Sequence, residues 1–317
     1  MKHHLDRAKH VYSERGIKDL VRTSLSYIPI ELNNMIFKIQ YGQGTKIMEE
    51  DWDQLVLLDA CRYDMFKDRI DLDGTLEWRI SRGSTSEEFL DQNFGDGEFH
   101  DTVYINTNPY LPKLNLDDRT FHTVIDLLDE WDPELQTVHP ETVVKAGKKA
   151  AEKYPNKRII IHFMQPHVPF IGDKGKRISA EGWTLGQEST DSSSQTVWQQ
   201  LRHQSGQEEL SEETVISAYY ENLEIVLEYV SEMLGSFRGK TVLSADHGNL
   251  VGERLRPIPT KKMYGHYYGV YTTELVKVPW FIIDSEERRE IESEPPIKNT
   301  SVKDKKIETR LQALGYR

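Results

Sequence analysis

The chain has 317 residues, 37% hydrophobic and 29% charged, with a formal net charge of −12. That length holds one large α/β domain or two small ones. It contains no run of about 18 apolar residues, so no transmembrane helix is expected, and the acidic balance argues against a nucleic-acid binder, which needs a basic face.

Residues 1–50 read as a helical N-terminal extension. Lys9, Arg15, Lys18 and Arg22 mix with Ile17, Leu20, Val21, Leu25 and Ile28 at helical spacing. The pattern predicts an amphipathic helix ending near Pro29. Such a helix packs on the main domain, or makes a peripheral contact with a membrane or partner. The opening residues lack the apolar core and cleavage site of a secretory signal.

The main domain is read over residues 51–317. Residues 54–58 form an apolar strand ending at Asp59. Residues 86–94 and 119–131 read as helices, 102–106 as a strand, 140–153 as a helix and 158–163 as a buried strand. A polar stretch at 172–207 is a lid, an insertion or a surface loop. Residues 212–234 carry an apolar stripe at helical spacing, from Val215 to Leu234. Gly235 and Gly239 then lead into a strand ending at Asp246 and His247, and Val278–Ile283 is strand-like. Residues 284–307 are charged and expected to be exposed, and the tail from Ile307 reads as a short amphipathic helix. Alternating strands and helices predict a mostly parallel sheet covered on both faces. The single cysteine, Cys61, excludes an intramolecular disulfide and predicts a reducing, cytoplasmic setting.

The strand ends share one grammar. Asp59, the pair Asp246-His247, His162 and His167 all stand at or just beyond the end of an apolar run, and His266 follows Tyr264-Gly265. Neither a carboxylate nor an imidazole is stable in a core without a partner. Both bind divalent metals, and in open α/β sheets sites form at the carboxyl ends of strands.

Four segments occur in a recognisable order: Leu57-Leu-Asp-Ala-Cys-Arg62, Arg82-Gly-Ser-Thr-Ser-Glu-Glu-Phe89, His162-Phe-Met-Gln-Pro-His-Val-Pro-Phe170 and Ser244-Ala-Asp-His-Gly248, with His266 beyond. In this order the chain resembles the alkaline phosphatase superfamily, in its sulfatase-like branch, over residues 52–317. The resemblance implies an α/β fold with a central, mostly parallel mixed sheet sandwiched between helices. It also implies a metal-dependent hydrolase or transferase acting on phosphate esters through a hydroxyl nucleophile. The alternatives are a sulfatase acting on sulfate esters and a non-catalytic scaffold.

Aligned on lipoteichoic acid synthases, Ser84 takes the nucleophile position, and a one-residue slip would give it to Thr85. Asp59, Ser84, Asp246 and His247 would hold a metal. His167 and His266 would bind a second metal or the transferring oxyanion, with Arg62 and His162 as further substrate contacts. Cys61 lacks the Pro-Ser-Arg context of formylglycine sulfatases, which favours phosphoryl chemistry. The histidines favour Mn or Zn, with Mg or Ca as lesser choices. The expected partner is a small-molecule or glycan phosphate or sulfate ester.

Overall fold

Gln54–Leu58, Arg158–Phe163 and Thr241–Ser244 are apolar almost without alternation, so neither side of these strands can face water. A parallel sheet with helices on both faces satisfies them. The computed structural model describes residues 27–117, 119–180, 197–203 and 210–297, with 307, 310 and 311. Helix α1 covers 27–41. It is followed by β1 (Gln54–Leu58), α2 (Tyr63–Arg69), β2 (Thr75–Ile80), α3 (Ser86–Phe94) and β3 (Phe99–Asn106). Next come α4 (Tyr110–Lys113), β4 (Phe121–Asp126), a small hairpin of β5 (Trp131–Asp132) and β6 (Thr137–Val138), α5 (Pro140–Lys153) and β7 (Arg158–Phe163). The last third holds α6 (Asp173–Ala180), α7 (Val197–His203), α8 (Glu212–Leu234), β8 (Thr241–Ser244), β9 (Leu250–Glu253), β10 (Met263–Gly265), α9 (Thr273–Val276) and β11 (Lys277–Ile283).

Among the described residues the main sheet has seven strands in the order β2-β11-β8-β1-β7-β3-β4. Strand β11 alone runs opposite to the other six strands, pairing antiparallel with β2 and β8. The register sets Leu57 level with His162 on one side and with Ser244 on the other. The carboxyl ends of β8, β1 and β7 therefore lie side by side. On one face of the sheet, Val56, Leu58, Ile161 and Phe163 pack with Val143 of α5 and Val226 of α8. On the other, Leu55, Leu57, Tyr104 and Ile160 meet Phe89, Leu90 and Phe94 of α3.

Several local expectations change. The helix expected over 119–131 is instead strand β4, which pairs in parallel with β3. Its Phe-His-Thr-Val-Ile-Asp sequence is rich in aromatic and β-branched residues, and a free edge beside β3 was there to be paired. Strand β2, unpredicted, is an edge strand with a largely exposed Thr-Leu-Glu-Trp-Arg surface. Helix α1 continues past Pro29 to residue 41. The pattern before residue 27 lies outside the described residues. The polar stretch contains α6 and α7, and Trp198 of α7 is buried against Phe170 and Tyr219. Residues 181–196 and 204–209 lie outside the described residues. Of the tail, Ile307 and Leu311 are helical and buried against the α3 side of the sheet.

Candidate metal and catalytic site

Asp59 ends β1, and the next residue, Ala60, turns the chain with φ 59°. This left-handed conformation costs a non-glycine residue about 1–2 kcal/mol. It aims the Ala60 N–H at Asp246 Oδ1, 3.0 Å away across the gap between β1 and β8. The Ala60 carbonyl accepts from the hydroxyl of Tyr219 on α8. The chain after β7 is tied to the same turn, because His167 N–H donates to the Asp59 carbonyl at 3.1 Å. Asn222 on α8 completes the brace: its amide donates at 3.0 Å to the carbonyls of Pro166 and His167. A buried polar residue within the apolar stripe of α8 thus holds a histidine loop in place.

The side chains converge where β8, β1 and β7 end. Asp59, Asp246, His247, His162 and Ser86 are all fully buried. Ligand atoms of Asp59, His162 and Asp246 lie within 4.8 Å of one another, as a shared cation would require. His247 Nε2 is 3.5 Å from Asp246 Oδ2 and 3.7 Å from Asp59 Oδ1. Asn108, beyond β3, donates to Asp59 Oδ2 at 2.8 Å.

The hydroxyl in this group is Ser86. Its Oγ is 3.1 Å from Asp59 Oδ2 and 3.3 Å from His247 Nε2. Ser84 and Thr85 are held elsewhere. Thr85 is the N-cap of α3, its hydroxyl accepting from Glu88 N–H at 3.2 Å. Ser84 Oγ lies 2.8 Å from both Glu88 Oε2 and the Tyr267 carbonyl. It is a fastening between the α3 turn and the 267–271 loop, on which Gly269 N–H also donates to Glu88. Gly83 permits the tight entry, since a Cβ there would sit 2.1 Å from Phe89 N.

Tautomers sharpen the picture. A backbone carbonyl only accepts, so the 2.7 Å contact of His247 Nδ1 with the Gly248 carbonyl puts a proton on Nδ1. Nε2 of the neutral ring then presents its lone pair to two carboxylates. That arrangement repels unless a proton or a cation stands between them. His167 repeats the pattern, with Nδ1 2.6 Å from the Val168 carbonyl. His162 Nδ1 is 2.8 Å from the Tyr104 hydroxyl, the kind of outer contact that orients metal-binding imidazoles. Among the described residues, Asp59 Oδ1, Asp246 Oδ2 and His162 Nε2 have no hydrogen-bond partner. Burial, with the neighbouring Asp246 charge, pushes the Asp59 carboxyl well above its usual range. Burial acts the same way on Asp246, but the attraction of His247 and His162 in their protonated forms, with the Ala60 N–H and the Ser86 hydroxyl, outweighs it and holds that carboxyl low. Orphaned oxygens and a nitrogen lone pair, buried and convergent, fit a divalent metal.

His266 stacks beside this group, with ring centroids 4.6 Å from His247 and 5.2 Å from His167. Its Nδ1 contacts Asn249 Oδ1 at 3.1 Å. Arg62 stands to one side. It grips Asp64 at 2.7 Å and Glu253 at 2.5 Å and donates to the Asn249 carbonyl at 3.1 Å. The arginine thereby supports the loop after His247.

Burial and the nearby His247 lower the His167 pKa from 6.5 to about 4. The unfolded chain takes up that proton near 6.5 and the folded chain only near 4. The stability His167 contributes is therefore full above pH 6.5 and is lost as the pH falls towards 4. Metal-free protein is expected to lose thermal stability across this window relative to a His167→Gln variant, which cannot titrate there. A constant gap between the two melting curves would show that the imidazole is not held neutral.

No protein-family model matches the chain, and no curated protein matches it. Similar solved structures include the C-terminal periplasmic domain of EcEptC from Escherichia coli in complex with Zn, at 12% identity and TM-score 0.49, covering 77% of this chain and 76% of that one. Another is the integral membrane lipooligosaccharide phosphoethanolamine transferase A from Neisseria meningitidis, at 12% identity and TM-score 0.45, covering 90% and 59%. A third is an alkaline phosphatase superfamily protein from Vibrio parahaemolyticus, at 11% identity and TM-score 0.38, covering 84% and 67%. At such identities the likeness concerns the fold alone. The cytoplasmic setting expected from the cysteine count is withdrawn, because the first two of these proteins are periplasmic and membrane-integral. The physical reason is simple: one buried cysteine forms no intramolecular disulfide in any compartment, so Cys61 never distinguished them.

Proposed function

We propose that this chain, a member of the alkaline phosphatase superfamily by its sheet and its ordered strand-end motifs, cleaves phosphate esters with Ser86 as nucleophile. The phosphoryl group passes to water or to an acceptor hydroxyl. One observation carries the reading: the Ser86 hydroxyl at the amino end of α3, 3.1 Å from Asp59 and 3.3 Å from His247.

Asp59, Asp246, His247 and His162 are the residues that would hold a divalent metal. Their mixed oxygen and nitrogen donors suit Mn or Zn better than Mg or Ca. When bound, such an ion supplies Lewis-acid stabilisation of negative charge on oxygen. Asp59 Oδ2 accepts from the Ser86 hydroxyl and aligns it, while Asn108 fixes the carboxylate. The amino end of α3 favours an anionic phosphoryl group beside Ser86. Ser86 Oγ passes its proton to Asp59 Oδ2 and forms the new bond to phosphorus as the ester oxygen leaves with its electron pair. The tautomer of His167 places a lone pair on Nε2. That suits a second cation, or the proton of an attacking water, better than it suits an oxyanion.

An unmodified serine favours phosphate over sulfate, and Cys61 is buried and remote from formylglycine chemistry. The test is a panel of aryl phosphate monoesters, phosphodiesters and sulfates with Mn- or Zn-loaded protein. Phosphate esters are expected to turn over at least about 100-fold faster than sulfates, a difference of roughly 2.7 kcal/mol in barrier. Faster sulfate turnover would move the assignment to a sulfatase.

A further inference from the structure

Helix α1 is apolar on two opposite sides. Its inner side belongs to the body: Ile30, Phe37 and Tyr41 pack on the cluster of Leu250, Leu255 and Val270. Asn33 and Asn34 donate at 2.7 Å to the carbonyls of Ile258 and Gly269. Its outer side carries Ile28, Leu32, Met35, Ile36 and Ile39, exposed by 50%, 39%, 56%, 36% and 79%. These positions recur at the helical period and form one stripe about 17 Å long. Glu31 and Lys38 flank one edge of the stripe and Gln40 the other. Single exposed apolar residues are ordinary, but a continuous row of five on one helix face marks a contact surface.

Charge identifies the occupant. Residues 1–26, immediately before the stripe, hold six Lys or Arg against three Asp or Glu, in a chain whose net charge is −12. An anionic lipid surface gains from both features, since it buries the stripe and attracts the flanking cations. We infer that the outer face of α1 docks on an anionic lipid bilayer surface, with the basic residues before it supplying the electrostatic attraction. The inner side of α1 stays packed on the body, so the contact uses one helix face and is interfacial. This inference is independent of the chemistry proposed above.

The test uses the full chain in flotation with vesicles of phosphatidylglycerol and phosphatidylcholine, and with phosphatidylcholine alone. Partition to the anionic vesicles is expected to be at least about tenfold stronger, and to weaken in high salt. The triple variant Leu32→Ser, Ile36→Ser, Ile39→Ser should lose that binding while melting as the parent does, because these side chains face outward. A Lys18→Gln, Arg22→Gln pair should lose the preference for anionic lipid. Absence of binding by the parent, or binding unchanged in the triple variant, would overturn the inference. So would a parent that dimerises without binding vesicles and becomes monomeric in the triple variant, which would assign the stripe to a second copy.

Discussion

Asp246→Ala is expected to strip the divalent metal from the protein and lower ester turnover by at least about 1,000-fold, the scale of a lost charge-stabilising group at a reaction centre. The two oxygens of this carboxylate do different work. Oδ1 accepts the N–H groups of Ala60 at 3.0 Å and His247 at 2.8 Å, which locks the left-handed turn after β1. Oδ2 faces His162 at 3.8 Å and His247 at 3.5 Å. Alanine removes both, and the stranded N–H groups alone cost about 1–3 kcal/mol each. Asp246→Asn separates the roles, because an amide oxygen still accepts at the Oδ1 position while the second oxygen and the charge are gone. The asparagine variant should lose metal, measured by plasma mass spectrometry after loading and desalting, without a collapse of the fold. Its metal-free form should lose the attraction of the Asp246 charge for His247 and His162 but keep an acceptor for the Ala60 and His247 N–H groups, so it should melt below the metal-free parent by less than the alanine variant does. The parent alone should then gain stability on adding Mn or Zn. Metal content and turnover equal to the parent's in both variants would remove Asp246 from the site.

The residues proposed to hold a metal stand at positions that the chain itself marks. Asp59, Asp246 and His247 each follow an apolar run with no room for a polar group, so a strand end was the only place for them, and the sheet order makes those ends adjacent. His162 was less visible. It shares a face with Ile160 on a strand whose other residues from Ile159 to Phe163 are all core, and only its tip, turned by Tyr104, reaches the carboxylates. Tyr104, Asn108 and Asn222 went unrecognised because their contacts span 58, 49 and 55 positions in the chain, which topology alone brings together. Ser86 is different, because a local signal existed. A helix read as starting at residue 86, with Thr85 three residues before Glu88, is a capping pattern. It spends the Thr85 hydroxyl on the helix and leaves Ser86 as the first helical residue. Motif alignment on this run of hydroxyl residues weighs Ser84 against Thr85; the cap engages Thr85 and supports the proposal of Ser86.

That distinction sets the second large effect, the contrast between Ser86→Ala and Ser84→Ala. Ser86→Ala should abolish ester turnover, by about 10,000-fold or more if the hydroxyl is the group that becomes covalent. It should leave metal content unchanged, because the convergent oxygens and nitrogen of Asp59, Asp246 and His162 do not depend on it. Its Tm should move little. Ser84→Ala should do the reverse. The Glu88 carboxylate and the Tyr267 carbonyl lose a buried donor, at a cost of about 1–3 kcal/mol in stability, while the rate at saturating substrate stays within a few-fold of the parent. Rapid acid quenching during turnover of a phosphate ester, followed by peptide mapping, supplies the direct readout. Phosphate should appear on the peptide spanning 83–94, at Ser86 in the parent and in Ser84→Ala, and nowhere in Ser86→Ala. Turnover that survives Ser86→Ala but not Ser84→Ala would require the α3 turn to rearrange on binding substrate, breaking the Glu88 contacts that hold Ser84 away from the carboxylates. The same result would return the nucleophile to the position the motif alignment first suggests.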